Sequence, residues 1–340
     1  MNLLQMLQNN QVEDLIKLSK TFKSYPLVIP SYKLKSKAKL VREIDTLIGH
    51  DIPVFIFCYK DDYTESGYDK IPHGDNVQFV LIEEKDFKEH GCFYKSIQGK
   101  RSFIQDWMFE HGHYIYFTSD DDASGKGRML ISEYPRKIVN VDLDNMLRIA
   151  SKISEQLPSG WMMLALGCNI DVLGSNFKDL WYIHRTYKPR KFCLLNIQNM
   201  KEKNVHYTGY PKDFFEDLKI CFDIAKAGDP MYVIKYMAPS FAPDGGKNST
   251  MNYKNLYFGT IKMFKDNCNP TVENGILLHN PCKGQEFIEN GCRYEWFKTD
   301  KYHRKLAELI DKAENTECQE YEDIVTFIKN YVENESLEDW

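Results

Sequence analysis

Residues 112–127, "GHYIYFTSDDDASGKG", decide how the rest of the chain is read. An apolar and aromatic run ends in Thr118, Ser119 and three consecutive acids, Asp120, Asp121 and Asp122. A continuous apolar run with a polar stop is the pattern of a strand buried on both faces. The "ASGKG" that follows has the composition of a flexible turn. If the backbone stays extended through the acids, side chains alternate, so Asp120 and Asp122 share one face and Asp121 takes the other. Two carboxylates aimed at one point repel unless they are solvated, share a proton or hold a cation. A hard divalent ion, Mg²⁺ or Mn²⁺, suits oxygen ligands and bridges to substrate phosphates, so one or two carboxylates suffice. A plain polar turn is the alternative, since Asp and Ser commonly start turns.

Working outward, "YPLVIPSY" (25–32), "DIPVFIFCYKDD" (51–62) and "VQFVLIEE" (77–84) read as three further strands. Helical patterns over 35–50 and 100–112 lie between them, the second with Phe103 and Trp107 on one face. Strand and helix in alternation argue for a sheet covered by helices on both faces, where ligands bind beyond the carboxyl ends of the strands. Downstream, 142–157 and 213–228 read as helices, 160–170 and 191–200 as strands, and 237–254 as a long loop suited to a lid. The spacing predicts helices at 1–22 and two more after 299. The expected organisation is an N-terminal helical segment (1–24), one α/β domain (25–298) and a C-terminal helical extension (299–340).

The chain of 340 residues is 43% apolar, 14% aromatic and carries a net charge of −5. That composition supports a sizeable core and gives no overall attraction to nucleic acid, so any polyanion must be met by a local basic surface. Nine scattered cysteines without a C-x-x-C pair fit reduced, structural thiols. No apolar run approaches the roughly 18 residues of a membrane span, and the first residues do not read as a signal peptide. The expectation is a soluble cytoplasmic protein with no membrane partner.

"GKRSFIQDWMFEHGHYIYFTSDDD" resembles the central segment of nucleotide-sugar glycosyltransferases of the GT-A fold, in which a helix with a basic start precedes a strand ending in a D-x-D metal motif. "VIPSY" is similar to the family's first nucleotide-contacting strand end, "FFEDLKICFDIAKAG" to its E-D helix, and "ENGILLHN" to the late strand that supplies a metal-binding histidine. The resemblance implies a Rossmann-type mixed sheet flanked by helices and a nucleotide diphosphate sugar, expected to be a UDP-sugar, as donor. It implies that Asp122 and His279 ligate the ion and that Asp120 binds ribose or the ion through water, while Asp121 serves the turn beside the donor. Pro30, Ser31, Tyr32, Tyr59, Lys100 and Arg101 become candidate donor contacts. Asp217 becomes the base that deprotonates an acceptor hydroxyl if the reaction inverts configuration. Glu216 beside it also fits a capping box begun by Asp213.

Segment 181–203 interleaves basic residues, among them Arg185, Lys188, Arg190 and Lys191, with Trp181, Tyr182, Tyr187 and Phe192. Cations for phosphates and aromatics for bases suit a nucleic acid, although a solvated strand edge accounts for them too. The whole chain is similar to phage DNA-modifying glycosyltransferases, which act on the hydroxymethyl group of a modified pyrimidine. That resemblance implies double-stranded DNA bearing 5-hydroxymethylcytosine as acceptor, a flipped base, a host-cytoplasm location, and Tyr236, Phe241 and Tyr253 as stacking partners. A capsule, lipopolysaccharide or protein-glycan glycosyltransferase, a metal-dependent nuclease or phosphotransferase, and an inactive nucleotide-sugar binder remain open alternatives.

Overall fold

A computed structural model describes residues 3–9, 11–34, 38–87, 94–133, 136–167, 179–183 and 192–208, most of 219–241, and short pieces beyond 271. In chain order the elements are α1 (Leu3–Gln8), α2 (Val12–Ser19), β1 (Leu27–Pro30), α3 (Lys39–Arg42), α4 (Ile44–Leu47), β2 (Val54–Tyr59), α5 (Lys60–Glu65), β3 (Val77–Ile82), α6 (Ile97–Glu110) and β4 (Ile115–Ser119). They continue with β5 (Ala123–Glu133), β6 (Arg136–Asp142), α7 (Leu143–Ser154), β7 (Met163–Leu166), β8 (Tyr182–Ile183), β9 (Phe192–Asn196), α8 (Ile197–Glu202), β10 (Tyr232–Ile234), β11 (Met237–Phe241), β12 (Thr271–Glu273) and β13 (Ile276–Leu278).

The expected mixed sheet flanked by helices is what the structure shows. An eight-stranded sheet has the order β3-β2-β1-β4-β9-β7-β10-β8. β3, β2, β1 and β4 are parallel, β9 runs antiparallel to both β4 and β7, and β10 is parallel to β7. The residues of β1 and β2 are buried throughout, as their unbroken apolar runs require, whereas edge strand β3 mixes buried residues with more open ones. From β1 the chain moves outward through β2 to β3, then returns to place β4 on the other side of β1. Between the carboxyl ends of β1 and β4 the strand order therefore reverses, the position at which open α/β sheets hold ligands in a crevice.

Several local expectations need correction. The helix expected over 35–50 is two short pieces, α3 and α4, separated by Glu43 at φ −110°, and neither has a side-chain cap. The strand expected over 191–200 stops at Asn196, whose side chain accepts a 3.2 Å hydrogen bond from the Asn199 amide and starts α8. "ASGKG" is no flexible turn: it begins β5, which pairs with β6 and β11 in a second, antiparallel sheet. Its glycines permit close packing. A Cβ at Gly125 would lie 2.0 Å from the Leu47 side chain, and one at Gly127 would lie 2.4 Å from Met146 Sδ and 2.6 Å from the Ala238 carbonyl. The lid expected over 237–254 opens with strand β11, and 242–254 lies outside the described residues.

The N-terminal helices belong to the same core, into which Leu3, Leu7, Val12 and Leu15 are packed. One stripe of α7 holds them: Asn145 accepts from Ser19, Arg148 donates to the Phe22 carbonyl and Ser151 accepts from the Tyr25 amide. The described cysteines Cys58, Cys193 and Cys221 are buried free thiols. Among the described residues no helix is long and apolar enough to cross a membrane.

Candidate functional site

β1 and β4 bring their ends side by side, with Val28 opposite Thr118. Beyond them lie Ser31–Tyr32 on one side and Asp120–Asp122 on the other. The acids do not continue the strand: Asp121 and Asp122 form a turn in which the Ala123 amide donates to the Asp120 carbonyl at 3.2 Å, so the alternation expected of an extended run does not apply, and the three acids are not equivalent. Asp120 accepts a 3.2 Å bond from Arg101 Nη2 at the start of α6. Asp121 accepts a 2.7 Å bond from Ser31 Oγ, and its backbone carbonyl meets the Leu40 amide at 3.3 Å. Burial raises the pKa of Asp121, as does the neighbouring Asp122, while Ser31, Lys100 and the Tyr32 amide pull it down. Asp121 thus works as a tie between the two strand ends, and Asp122 crowds a second negative charge against it.

Lys100 departs from any picture of a solvated basic pair. It is 2% exposed, and its Nζ donates to the Ser31 carbonyl. The ammonium lies 4.7 Å from the centre of the Tyr59 ring and 5.5 Å from that of Tyr32. Burial lowers its pKa to about 8 despite the attraction of Asp121 and Asp62. Tyr59 is not a rim aromatic either: it is 1% exposed and donates to the Ser96 carbonyl at 2.9 Å. Tyr32 is the open member of the group, at 48% exposure, with its ring edge-on to Tyr59. Pro30 ends β1 opposite Phe57, whose carbonyl accepts from the Ser31 amide at 2.9 Å.

Two further residues at this strand end carry no signal in the sequence. Asp62, buried in α5, accepts a 2.6 Å bond from the Lys33 amide, where the chain adopts φ +48°. Tyr68, fully buried, places its hydroxyl 2.8 Å from Ser31 Oγ. Neither lies in a recognisable motif, because what they hold is backbone and one serine from a different strand.

Pairing brings two distant segments to the acids. Ser119 is the register partner of Phe192, the first residue of β9, and Ala123 is the partner of Phe241, beyond a bulge in β11. Phe241 is partly buried there. Tyr236, by contrast, is 2% exposed within the core, so its ring is closed to an incoming base in this conformation. Lys201 and Lys203 stand at the opposite end of the sheet, since α8 begins where Ile197 bonds Tyr114. Arg185, Lys188, Arg190, Lys191, Glu216, Asp217, Tyr253 and His279 lie outside the described residues.

Among the described residues no three His, Cys, Asp or Glu side chains are grouped to hold a metal ion. The aspartate turn itself suits a hard cation: its donors are carboxylate oxygens, and Asp121 and Asp122 already repel one another.

No family model matches the chain, and no curated protein matches it. Similar solved structures include mannose-1-phosphate geranyltransferase from Thermus thermophilus, 11% identical over 70% of this chain and 79% of that one, with a TM-score of 0.37. CMP:2-keto-3-deoxy-manno-octonic acid synthetase in complex with CTP is 7% identical over 62% of this chain and 89% of that one, TM-score 0.35. 4-Diphosphocytidyl-2C-methyl-D-erythritol synthase from Anaerococcus prevotii is 8% identical over 74% and 98%, TM-score 0.33. None of the three is a glycosyltransferase by name, and likeness at this level carries no conclusion about function.

Proposed function

We propose that the crevice between β1 and β4 binds a nucleotide diphosphate sugar and that the protein transfers the sugar to a hydroxyl acceptor. The observation that carries this reading is the meeting of an exposed Tyr32, a buried Lys100 and the Asp120–Asp122 turn at the point where the strand order reverses. Such a point is where open α/β sheets hold ligands. Tyr32 offers a face for a base, and Asp120 and Asp122 carry the charge for a divalent ion on the diphosphate, with His279 as a third ligand. When bound, that ion supplies neutralisation of charge on the departing nucleoside diphosphate. Lys100 and Arg101 offset part of the negative charge of the acids, and Asp121 stays committed to Ser31. Asp217 is the proposed base toward the acceptor, within the helix resembling the E-D motif.

For the acceptor we infer the hydroxymethyl group of a modified pyrimidine in duplex DNA. The support is the sequence resemblance and the basic segment that precedes Phe192, the residue paired to Ser119. Incubation with Mn²⁺ and a panel of nucleotide sugars, with and without hydroxymethylated DNA, tests both parts. Nucleoside diphosphate release stimulated only by the modified DNA is expected. Release with glycan acceptors alone would overturn the DNA part. Pyrophosphate release from a nucleoside triphosphate and a sugar phosphate, without sugar transfer, would replace the whole reading. Asp122→Ala is expected to abolish Mn²⁺-dependent donor binding, and Asp217→Ala to spare binding and lose transfer.

A further inference from the structure

Ser31 is the crossing point of the crevice. Its amide donates to the Phe57 carbonyl at 2.9 Å, its carbonyl accepts from Lys100, and its hydroxyl touches both Asp121 and Tyr68. The direction of the last two bonds follows from the chemistry of the groups. An ionised carboxylate only accepts, so Ser31 gives its single hydroxyl proton to Asp121, which leaves Ser31 Oγ to accept from the Tyr68 phenol. Tyr68 and Ser31 are 0% and 1% exposed, so water does not substitute for either. Burial also holds the phenol in its neutral, donating form by raising its pKa. Tyr68 follows Gly67, whose φ of +80° turns the chain back from α5, and it stacks on Tyr63 with ring planes 3° apart. Its position is thereby set independently of the acids. Six residues earlier, Asp62 grips the Lys33 amide, so the residues on either side of Tyr32 are both held from the β2–β3 connection.

We propose that Tyr68 is a positioning residue of the donor site: through Ser31 it orients the Asp121 carboxylate and so sets the aspartate turn against the end of β1. This rests on the donor-site reading above. Tyr68 touches no reacting group, and its effect is on the geometry offered to the metal–diphosphate.

Binding of UDP, measured calorimetrically with Mn²⁺ and again in EDTA, tests it on four proteins: wild type, Tyr68→Phe, Ser31→Ala and the double variant. Tyr68→Phe keeps the ring and is expected to weaken Mn²⁺-dependent binding about five-fold, the scale of one hydrogen bond, with binding in EDTA unchanged. In the Ser31→Ala background the same change is expected to add nothing, because the relay is already cut. If Ser31→Ala does not fold, Asp121→Ala provides the second background. An equal loss in both backgrounds, a loss independent of Mn²⁺, or no loss at all would overturn the relay while leaving the donor site standing. A wild-type protein that binds UDP under neither condition would overturn the donor-site reading, and the proposal with it.

Discussion

Lys100 holds a positive charge where the fold gives it little water and, among the described residues, a single hydrogen-bond acceptor in the Ser31 carbonyl. Two aromatic faces and nearby acids recover part of the lost hydration, yet the pKa still falls to about 8. A base whose pKa is lowered on folding penalises the native state while it stays charged. Between about 8 and its ordinary 10.5 the unfolded chain binds the extra proton, so stability should rise with pH across that window. Lys100→Met, close in volume and uncharged, is expected to stabilise the fold at pH 7 by on the order of 1 kcal/mol and to remove that slope. Denaturant titrations of both proteins at pH 7 and pH 10 check this. The same variant should weaken donor binding, the pairing of effects expected of a charge kept for function. Nothing in "GKRSF" announces this burial. A lysine at a helix start reads as solvated, and only the arrival of Tyr32 and Tyr59 from two other strands covers it.

β5 shows where local patterns mislead. Alternating small and polar residues in "ASGKGR" read as a loop, because glycine and serine are turn formers and strand pairing is non-local. The strand exists because β6 and β11 pair with it from either side, and its glycines let α4 and α7 approach. Gly127→Ala would press a methyl onto the Ala238 carbonyl, backbone that cannot swing aside, and is expected to cost about 1–3 kcal/mol in denaturant unfolding. Gly125→Ala would meet Leu47 Cδ2 at 2.0 Å and its Cδ1 and Cγ at 2.7 Å, so the whole Leu47 side chain, rather than backbone, would have to turn away. By contrast β1, β2 and β4 were legible from their apolar runs, since both faces of those strands are buried, and α6 from the shared face of Phe103 and Trp107, although it begins at Ile97, three residues before the expected start, under a Ser96 cap that accepts from Gly99 at 2.8 Å. Of the candidate site, the acids and Ser31–Tyr32 could be placed because they end such strands. Asp62 and Tyr68 could not, for they act across strands on backbone and a hydroxyl.

The fold as a unit is fastened far from the crevice by Arg148 on α7. Its guanidinium binds both oxygens of Asp51 at 2.6 and 3.0 Å, Asp144 at 3.0 Å and the Phe22 carbonyl at 2.7 Å. One side chain thus joins the N-terminal helices, the entry to β2 and α7. Arg148→Met should lower unfolding free energy by about 2 kcal/mol, with donor binding unaffected at temperatures where the variant stays folded. Arg148 lowers the pKa of Asp51 below its ordinary 3.8, so this contribution is present above that pH and lost as acid protonates the carboxylate. An acid titration followed by circular dichroism should show a loss of stability below about pH 4 in the wild type that is muted in Arg148→Met. The strand pairings have an evolutionary corollary. β9 and β11 deliver Phe192 and Phe241 to the two flanks of the aspartate turn from stretches of chain that contribute nothing to the Tyr32–Lys100 cluster. The cluster proposed to grip the donor and the residues that border it therefore lie on separate segments, so one can be altered or lengthened while the other is left intact.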